Sequence, residues 1–180
     1  MIVNLFEIFT IIQNIDLDKI KLKNLIFEKN WYSETESTFK NNKDKKIQEL
    51  IEEDSLNYIL NILINMLEEK IKYPFKIELT HIWQNNYINN DYQEPHIHEN
   101  SDFSFIIYKD VDKEGGKTMF FNPNKNLITA FQNIKHMFNS FFLPKCKPGQ
   151  IILFPSFLEH MVLKNSQQKT ISGNIKFEKI

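Results

Sequence analysis

The chain has 180 residues, 42% of them hydrophobic and 25% charged, which is enough apolar material for one globular domain and too much for a disordered chain. Its 22 basic and 23 acidic residues leave a formal net charge of −1, which excludes the basic footprint of a nucleic-acid binder. Every basic residue is a lysine and none is an arginine, so an anion must be held by lysine, hydroxyls or backbone amides.

Residues 1–75 read as mainly helical support. A short apolar segment, Ile2–Ile12, comes first. The run Ile2–Ile15 carries Glu7 and lacks both a basic n-region and a small-residue cleavage site, so it does not read as a signal peptide. A weaker helical stretch around Leu17–Glu28 and a polar linker, Ser33–Lys46, follow. Leu50, Ile51, Leu56, Ile59, Leu60, Leu63, Met66, Leu67 and Ile71 then recur at spacings of three and four, which predicts an amphipathic helix. Asn57, Asn61 and Asn65 fall on its opposite side, facing water, and Pro74 marks the stop. The most apolar stretch, Tyr58–Leu67, is too short to span a bilayer.

After Pro74 the pattern changes to strands. Phe75–Trp83 alternates, Phe103–Tyr108 is aromatic and β-branched, and Lys117–Phe121 follows a Glu114-Gly115-Gly116 turn. Gln150–Phe154 is launched by Pro148-Gly149, and Lys169–Phe177 follows the polar turn Lys164–Gln168. Asn124–Phe142 is ambiguous: Leu127–Phe138 reads as a helix or as a long irregular insertion, and its aromatic residues suit core packing better than a lid. Helices followed by at least five or six short strands predict an α+β chain with an antiparallel sandwich or barrel. Residues 1–180 are expected to form a single domain, with 76–180 as its core. The lone Cys146 permits no intrachain disulfide. A reducing cytoplasm is therefore the expected location. The over-use of Lys, Asn and Ile, whose codons are AT-rich, suggests a bacterium or a phage-infected cell.

The chemistry concentrates in Gln93-Glu94-Pro95-His96-Ile97-His98-Glu99. Histidines at i and i+2 project from one side of a strand, so both imidazoles can reach one metal ion. A third, His160, closes the segment Phe154-Pro155-Ser156-Phe157-Leu158-Glu159-His160. In a double-stranded β-helix an early and a late strand lie side by side at the barrel mouth, which would bring the three together. Such a set suits iron, zinc, nickel or copper. His81 and His136 have no such partners and read as surface or packing residues.

Trp83-Gln84-Asn85, Asp91-Tyr92-Gln93, His96-Ile97-His98, Ser104 and Tyr108 resemble the central motif of a known family. It comprises phage and bacterial 2-oxoglutarate- and iron(II)-dependent oxygenases with an H-x-H signature, within the prolyl-hydroxylase-like superfamily. Phe121-Asn122-Pro123, the block from Pro148-Gly149 through Phe154-Pro155-Ser156 to His160, and a last strand with Ser172 and Asn174 extend the likeness. The resemblance implies a jelly roll (cupin-like double-stranded β-helix) with N-terminal helices packed on it. It implies Fe(II) held by His96, His98 and His160, with 2-oxoglutarate and O₂ as cosubstrates. Oxidative decarboxylation to succinate and CO₂ would accompany hydroxylation of an unknown substrate, for which a peptidyl side chain such as proline is the family's suggestion. Should a carboxylate ligand be needed, Glu99 and Asp102 are the nearby candidates, ranked below the three-histidine set.

One departure concerns the cosubstrate. The family's last strand starts with an arginine that pairs with the distal carboxylate of 2-oxoglutarate, and this chain has none. Strand parity from Asn174 and Ser172 puts Gln168 in that slot, whereas charge favours Lys169, and a one-residue bulge would reconcile the two. Lys117 is a second cationic candidate, and Ser172 and Tyr108 are expected to add hydroxyl hydrogen bonds. Two other readings stay open at this point: a cupin-like metal-binding protein that uses no 2-oxoglutarate, and a non-catalytic jelly-roll accessory protein.

Overall fold

Two antiparallel sheets face each other, and the larger is faced by a helix on its other side. The computed structural model describes residues 8–29, 35–88, 91–130, 139–164 and 167–180. Its strands are β1 (Ile11–Asn14), β2 (Glu28–Lys29), β3 (Glu36–Ser37), β4 (Phe75–Tyr87), β5 (Gln93–His96), β6 (Phe103–Val111), β7 (Thr118–Phe121), β8 (Phe141–Phe142), β9 (Gln150–Pro155), β10 (His160–Val162) and β11 (Gln168–Lys179). The helices are α1 (Phe39–Asn42), α2 (Ile47–Leu50), α3 (Glu53–Glu68) and α4 (Lys125–Ala130), with a single 3₁₀ turn at Leu17–Lys19. The large sheet runs β1-β9-β6-β11-β4-β3-β2, the small one β5-β10-β7-β8. This is the expected jelly roll, in which strands distant in sequence become neighbours.

Strand alternation gives the large sheet two different faces. Leu79, Ile82, Phe105, Ile107, Ile171 and Ile175 pack with Ile59, Leu63, Met66 and Leu67 of α3. That amphipathic helix is the one predicted, and Asn57, Asn61 and Asn65 on its far side are exposed. The other face looks toward the small sheet, where Ile106, Tyr108, Ile152 and Phe154 meet Phe120, Cys146 and Leu158.

Some expected elements differ. The stretch Leu17–Glu28 is one 3₁₀ turn followed by extended chain, tied by Lys23 N–H to Leu50 O at 2.7 Å and by a bridge from Leu22 to Ile51. Docking against α2 competes successfully with its weak helical pattern. The described part of the polar linker is not a linker either. β3 pairs with β4, and Thr35, Ser37, Thr38 and Asn42 are buried. Their side chains close onto β4: Ser37 Oγ donates to Asn85 Oδ1 (2.7 Å), and Asn42 Nδ2 donates to Ile82 O (3.1 Å). Lys125–Ala130 resolves part of the ambiguous segment as α4. Residues 131–138, including Phe131, His136 and Phe138, lie outside the described residues. Among the described residues, no helix is long and apolar enough to cross a membrane.

Candidate metal centre

Pairing of β5 with β10 sets His96 directly opposite His160. Two residues later, His98 leaves the strand and is held by its backbone N–H donating to Ser156 O at 3.0 Å. The chain can turn away after it because Asn100 adopts φ +60°, a left-handed conformation asparagine tolerates. The result joins residues 62 positions apart: His98 Nε2 lies 3.2 Å from His160 Nε2. Ligand atoms of all three rings lie within 4.8 Å of one another.

Neighbouring carbonyls orient two of the rings. His96 Nδ1 donates to Glu94 O (2.6 Å) and His160 Nδ1 donates to Leu158 O (2.9 Å). A carbonyl can only accept, so the proton is on Nδ1 and the Nε2 lone pair is free to bind a cation. Trp83 stacks on His98 at 5.6 Å, and Phe154 meets His160 edge-on at 4.8 Å. Burial is the main reason all three imidazoles resist protonation: His98 falls to about 4, His96 is lowered, and His160 is lowered strongly. For His98 and His160, the neighbouring histidines push further in the same direction. Neutral rings at neutral pH are the form a metal requires.

Behind His98 lies a polar chain. Ser104 Oγ donates to Asn174 Oδ1 (2.9 Å), which uses its proton, so the 2.8 Å contact with Ser156 Oγ is a bond that Ser156 donates. The histidines open onto a cavity of about 740 Å³ between the sheets. Cross-strand pairing lines it in steps along β11. Asn174 pairs with His81, Ser172 with Trp83, Thr170 with Asn85 and Gln168 with Tyr87, and these side chains face the cavity.

Residues 81–173, more than half of the chain, match the family model described as "Putative 2OG-Fe(II) oxygenase". The chain belongs to this oxygenase family. Among solved structures, the chain resembles a 2OG-Fe(II) oxygenase-family oxidoreductase from Burkholderia pseudomallei (TM-score 0.55, 12% identity, 85% of this chain and 72% of that one). It also resembles a viral collagen prolyl hydroxylase from Paramecium Bursaria Chlorella virus-1 (TM-score 0.49, 14% identity, 78% of each chain). A third likeness is to a prolyl-4-hydroxylase from Pseudomonas putida (TM-score 0.49, 9% identity, 83% and 77%). The Burkholderia likeness supports the fold. No curated protein matches the sequence. As a member of this family the protein is an Fe(II)- and 2-oxoglutarate-dependent oxygenase.

The oxygenase places the other sequence candidates as follows. Asp102 is exposed, and its carboxylate accepts the Phe177 backbone N–H at 2.7 Å, so it braces β11 and stays outside the histidine cluster. Glu99 is exposed at the cavity edge and is also outside the cluster. Ser172 lines the cavity. Tyr108 is fully buried, on the same face of the sheet. Lys169 does not reach the cavity: it is exposed and lines a separate cleft with Asp110 and Asp112. A bulge does exist beside it, but the extra residue, Lys109, is on β6. The β11–β4 register therefore runs unbroken from Gln168 to Asn174, leaving Gln168 inward and Lys169 outward. Lys117 directs its ammonium to Asp112 (3.3 Å) and Glu114 (2.9 Å). His81, read as a surface or packing residue, lines the cavity without joining the cluster.

One wall of the cavity comes from the N-terminal third, where no sequence motif announces it. Phe39 packs edge-on against Trp83 at 5.1 Å, and Ser37, Phe39 and Lys40 line the cavity. No local pattern marks them, because their place at the cavity comes from docking on β4.

Proposed function

We propose that His96, His98 and His160 hold the Fe(II) of this oxygenase and that the cavity beside them receives the 2-oxo acid and the substrate. The convergence of three neutral imidazoles within 4.8 Å carries this reading. When bound there, Fe(II) would supply the redox chemistry that couples loss of CO₂ from 2-oxoglutarate to insertion of oxygen into a C–H bond. The chain's own contribution is geometric and electrostatic. Carbonyls of Glu94 and Leu158 hold two tautomers, Trp83 and Phe154 fix ring planes, and burial keeps all three rings unprotonated. Three neutral ligands leave the cation its full charge, which suits an anionic keto-acid headgroup. Ser172, which lines the cavity, would donate to the cosubstrate.

For the substrate, we favour a peptidyl side chain such as proline. Phe39, Trp83 and Ile97 make one side of the cavity apolar, and Phe39 and Ile97 remain 41% and 47% exposed. An apolar, uncharged segment of an extended peptide fits such a wall. The buried, free Cys146 fits a reducing cytoplasm, bacterial or phage-infected. Because Phe39 and the strands build the same cavity, the N-terminal third is read as part of one domain with the rest.

Anaerobic titration with Fe(II) and then 2-oxoglutarate tests the centre through the visible metal-to-ligand charge-transfer band. The wild type should develop it and His96→Ala should not. A band that survives His96→Ala would overturn the ligand assignment. Proline-containing peptides are then incubated aerobically and followed by mass spectrometry for the gain of one oxygen atom.

A further inference from the structure

Buried hydrogen-bond donors gather at the end of the cavity away from the histidines. Gln168 is 3% exposed and lines the cavity. Its Oε1 accepts the Lys117 backbone N–H at 3.0 Å, while its Nε2 is buried with no partner. Thr118, the next residue along, is fully buried, lines the same cavity and leaves Oγ1 unpartnered. The Tyr108 hydroxyl is a third buried atom without a partner. Thr118 and Cys146 stand close enough to influence its ionisation, yet neither makes a well-formed hydrogen bond to it. Burial pushes that phenol's ionisation far up, so it remains a protonated donor. Gly116 is what admits the Tyr108 ring, since a Cβ there would overlap it. Buried polar atoms normally find partners, so three unmet ones around one cavity end mark a place for a ligand.

Register fixes how far this place lies from the metal centre. On β7, Phe120 pairs with His160 and Thr118 with Val162. Thr118 is thus two residues, roughly 7 Å, along from the histidine row, the reach of a short 2-oxo acid chelated at its head. Among the described residues lining the cavity, the one lysine is Lys40, exposed beside Phe39. Lys117 is turned to Asp112 and Glu114, Lys109 donates to Gln84 Oε1 at 3.2 Å, and Lys169 faces another cleft. A carboxylate buried here would lose its hydration without gaining a counter-charge.

We propose that this oxygenase anchors the tail of its 2-oxo acid through the neutral donors of Gln168 and Thr118, with the Tyr108 hydroxyl behind them. It therefore accepts 2-oxo acids ending in an uncharged acceptor nearly as well as 2-oxoglutarate. The proposal rests on the histidine centre above, so its test first establishes Fe(II) binding in the full chain. Anaerobic Fe(II)-loaded protein is then titrated with 2-oxoglutarate, its 5-methyl ester and 2-oxopentanoate, read by the charge-transfer band and by calorimetry.

The ester should bind within about tenfold of 2-oxoglutarate, and 2-oxopentanoate, which has no tail acceptor, more than about tenfold below both. Affinity for 2-oxoglutarate should change little with salt. Gln168→Lys should favour 2-oxoglutarate over the ester by about tenfold more and introduce salt dependence. An ester more than about tenfold weaker than 2-oxoglutarate in the wild type would reveal a cationic anchor and overturn the proposal. So would equal binding of ester and 2-oxopentanoate, because the donors would then make no contact. Fe(II) binding with no uptake of any of the three acids overturns the anchor and leaves the metal centre standing. Failure to bind Fe(II) removes the histidine centre and the anchor together.

Discussion

The two faces of the large sheet are built from the same strands and do opposite work. Along β11, Ile171, Gly173 and Ile175 face α3, whereas Gln168, Thr170, Ser172 and Asn174 face the cavity. The helix face is closed and apolar, and Gly173 lets the Phe105 ring and the His81 carbonyl approach closely enough that a Cβ would collide. The cavity face keeps polar atoms out of water, several without partners. A period of two lets one strand carry stability on one side and chemistry on the other. Substitutions on the two faces should therefore separate.

The sharpest separation is expected from His160→Ala, which removes one of the three proposed ligands. Iron affinity should fall by more than the roughly hundredfold that losing an outer hydrogen bond costs a metal site. Thermal stability of the metal-free protein should hold or rise, because a buried polar ring is lost. A metal-free protein that unfolds on this change would break the comparison. Leu63→Ala on the helix face is the converse. With Leu63 fully buried against the sheet, it should cost about 2–5 kcal/mol in denaturant unfolding while the folded fraction keeps its iron affinity.

Gly116→Ala tests the seam between the faces. The added methyl must displace the Tyr108 ring, at about 1–3 kcal/mol for overpacking, and should also weaken 2-oxo acid binding. Acid sharpens the contrast further. In the folded state His96, His98 and His160 titrate below their unfolded value of 6.5, with His98 at about 4. Between those values the unfolded chain binds more protons than the folded one, so stability rises with pH there. Metal-free protein should thus lose stability as pH falls from 6.5 toward 4, and His98→Ala should flatten that slope in pH-dependent unfolding. The smallest effect is expected at Asn61→Ala on the exposed side of α3, within about 0.5 kcal/mol. A larger change in melting temperature would mean that this side is covered.

Much of this was legible before folding. The α3 stripe, the alternating strands and the H-x-H pair are local patterns, and each reflects the side a residue must face. Missed features came from contacts that no local pattern records. The chain from the 3₁₀ turn to Glu28 is extended because it docks on α2, and the chain around Ser37–Asn42 is ordered because its hydroxyls and amides hydrogen-bond to β4.

The sequence alone determined the chemical inventory: an H-x-H pair with a distal histidine, no arginine for an anion, and enough alternation to specify strands. Tertiary structure decided how that inventory is used. It brought His98 and His160 to 3.2 Å, and it turned Phe39 into a wall of the cavity. It also chose Gln168 over Lys169, one residue apart. That last choice follows from the bulge lying on β6 and not on β11. A shift of one residue reverses every side chain of a strand, and only the pairing partner determines which strand absorbs it.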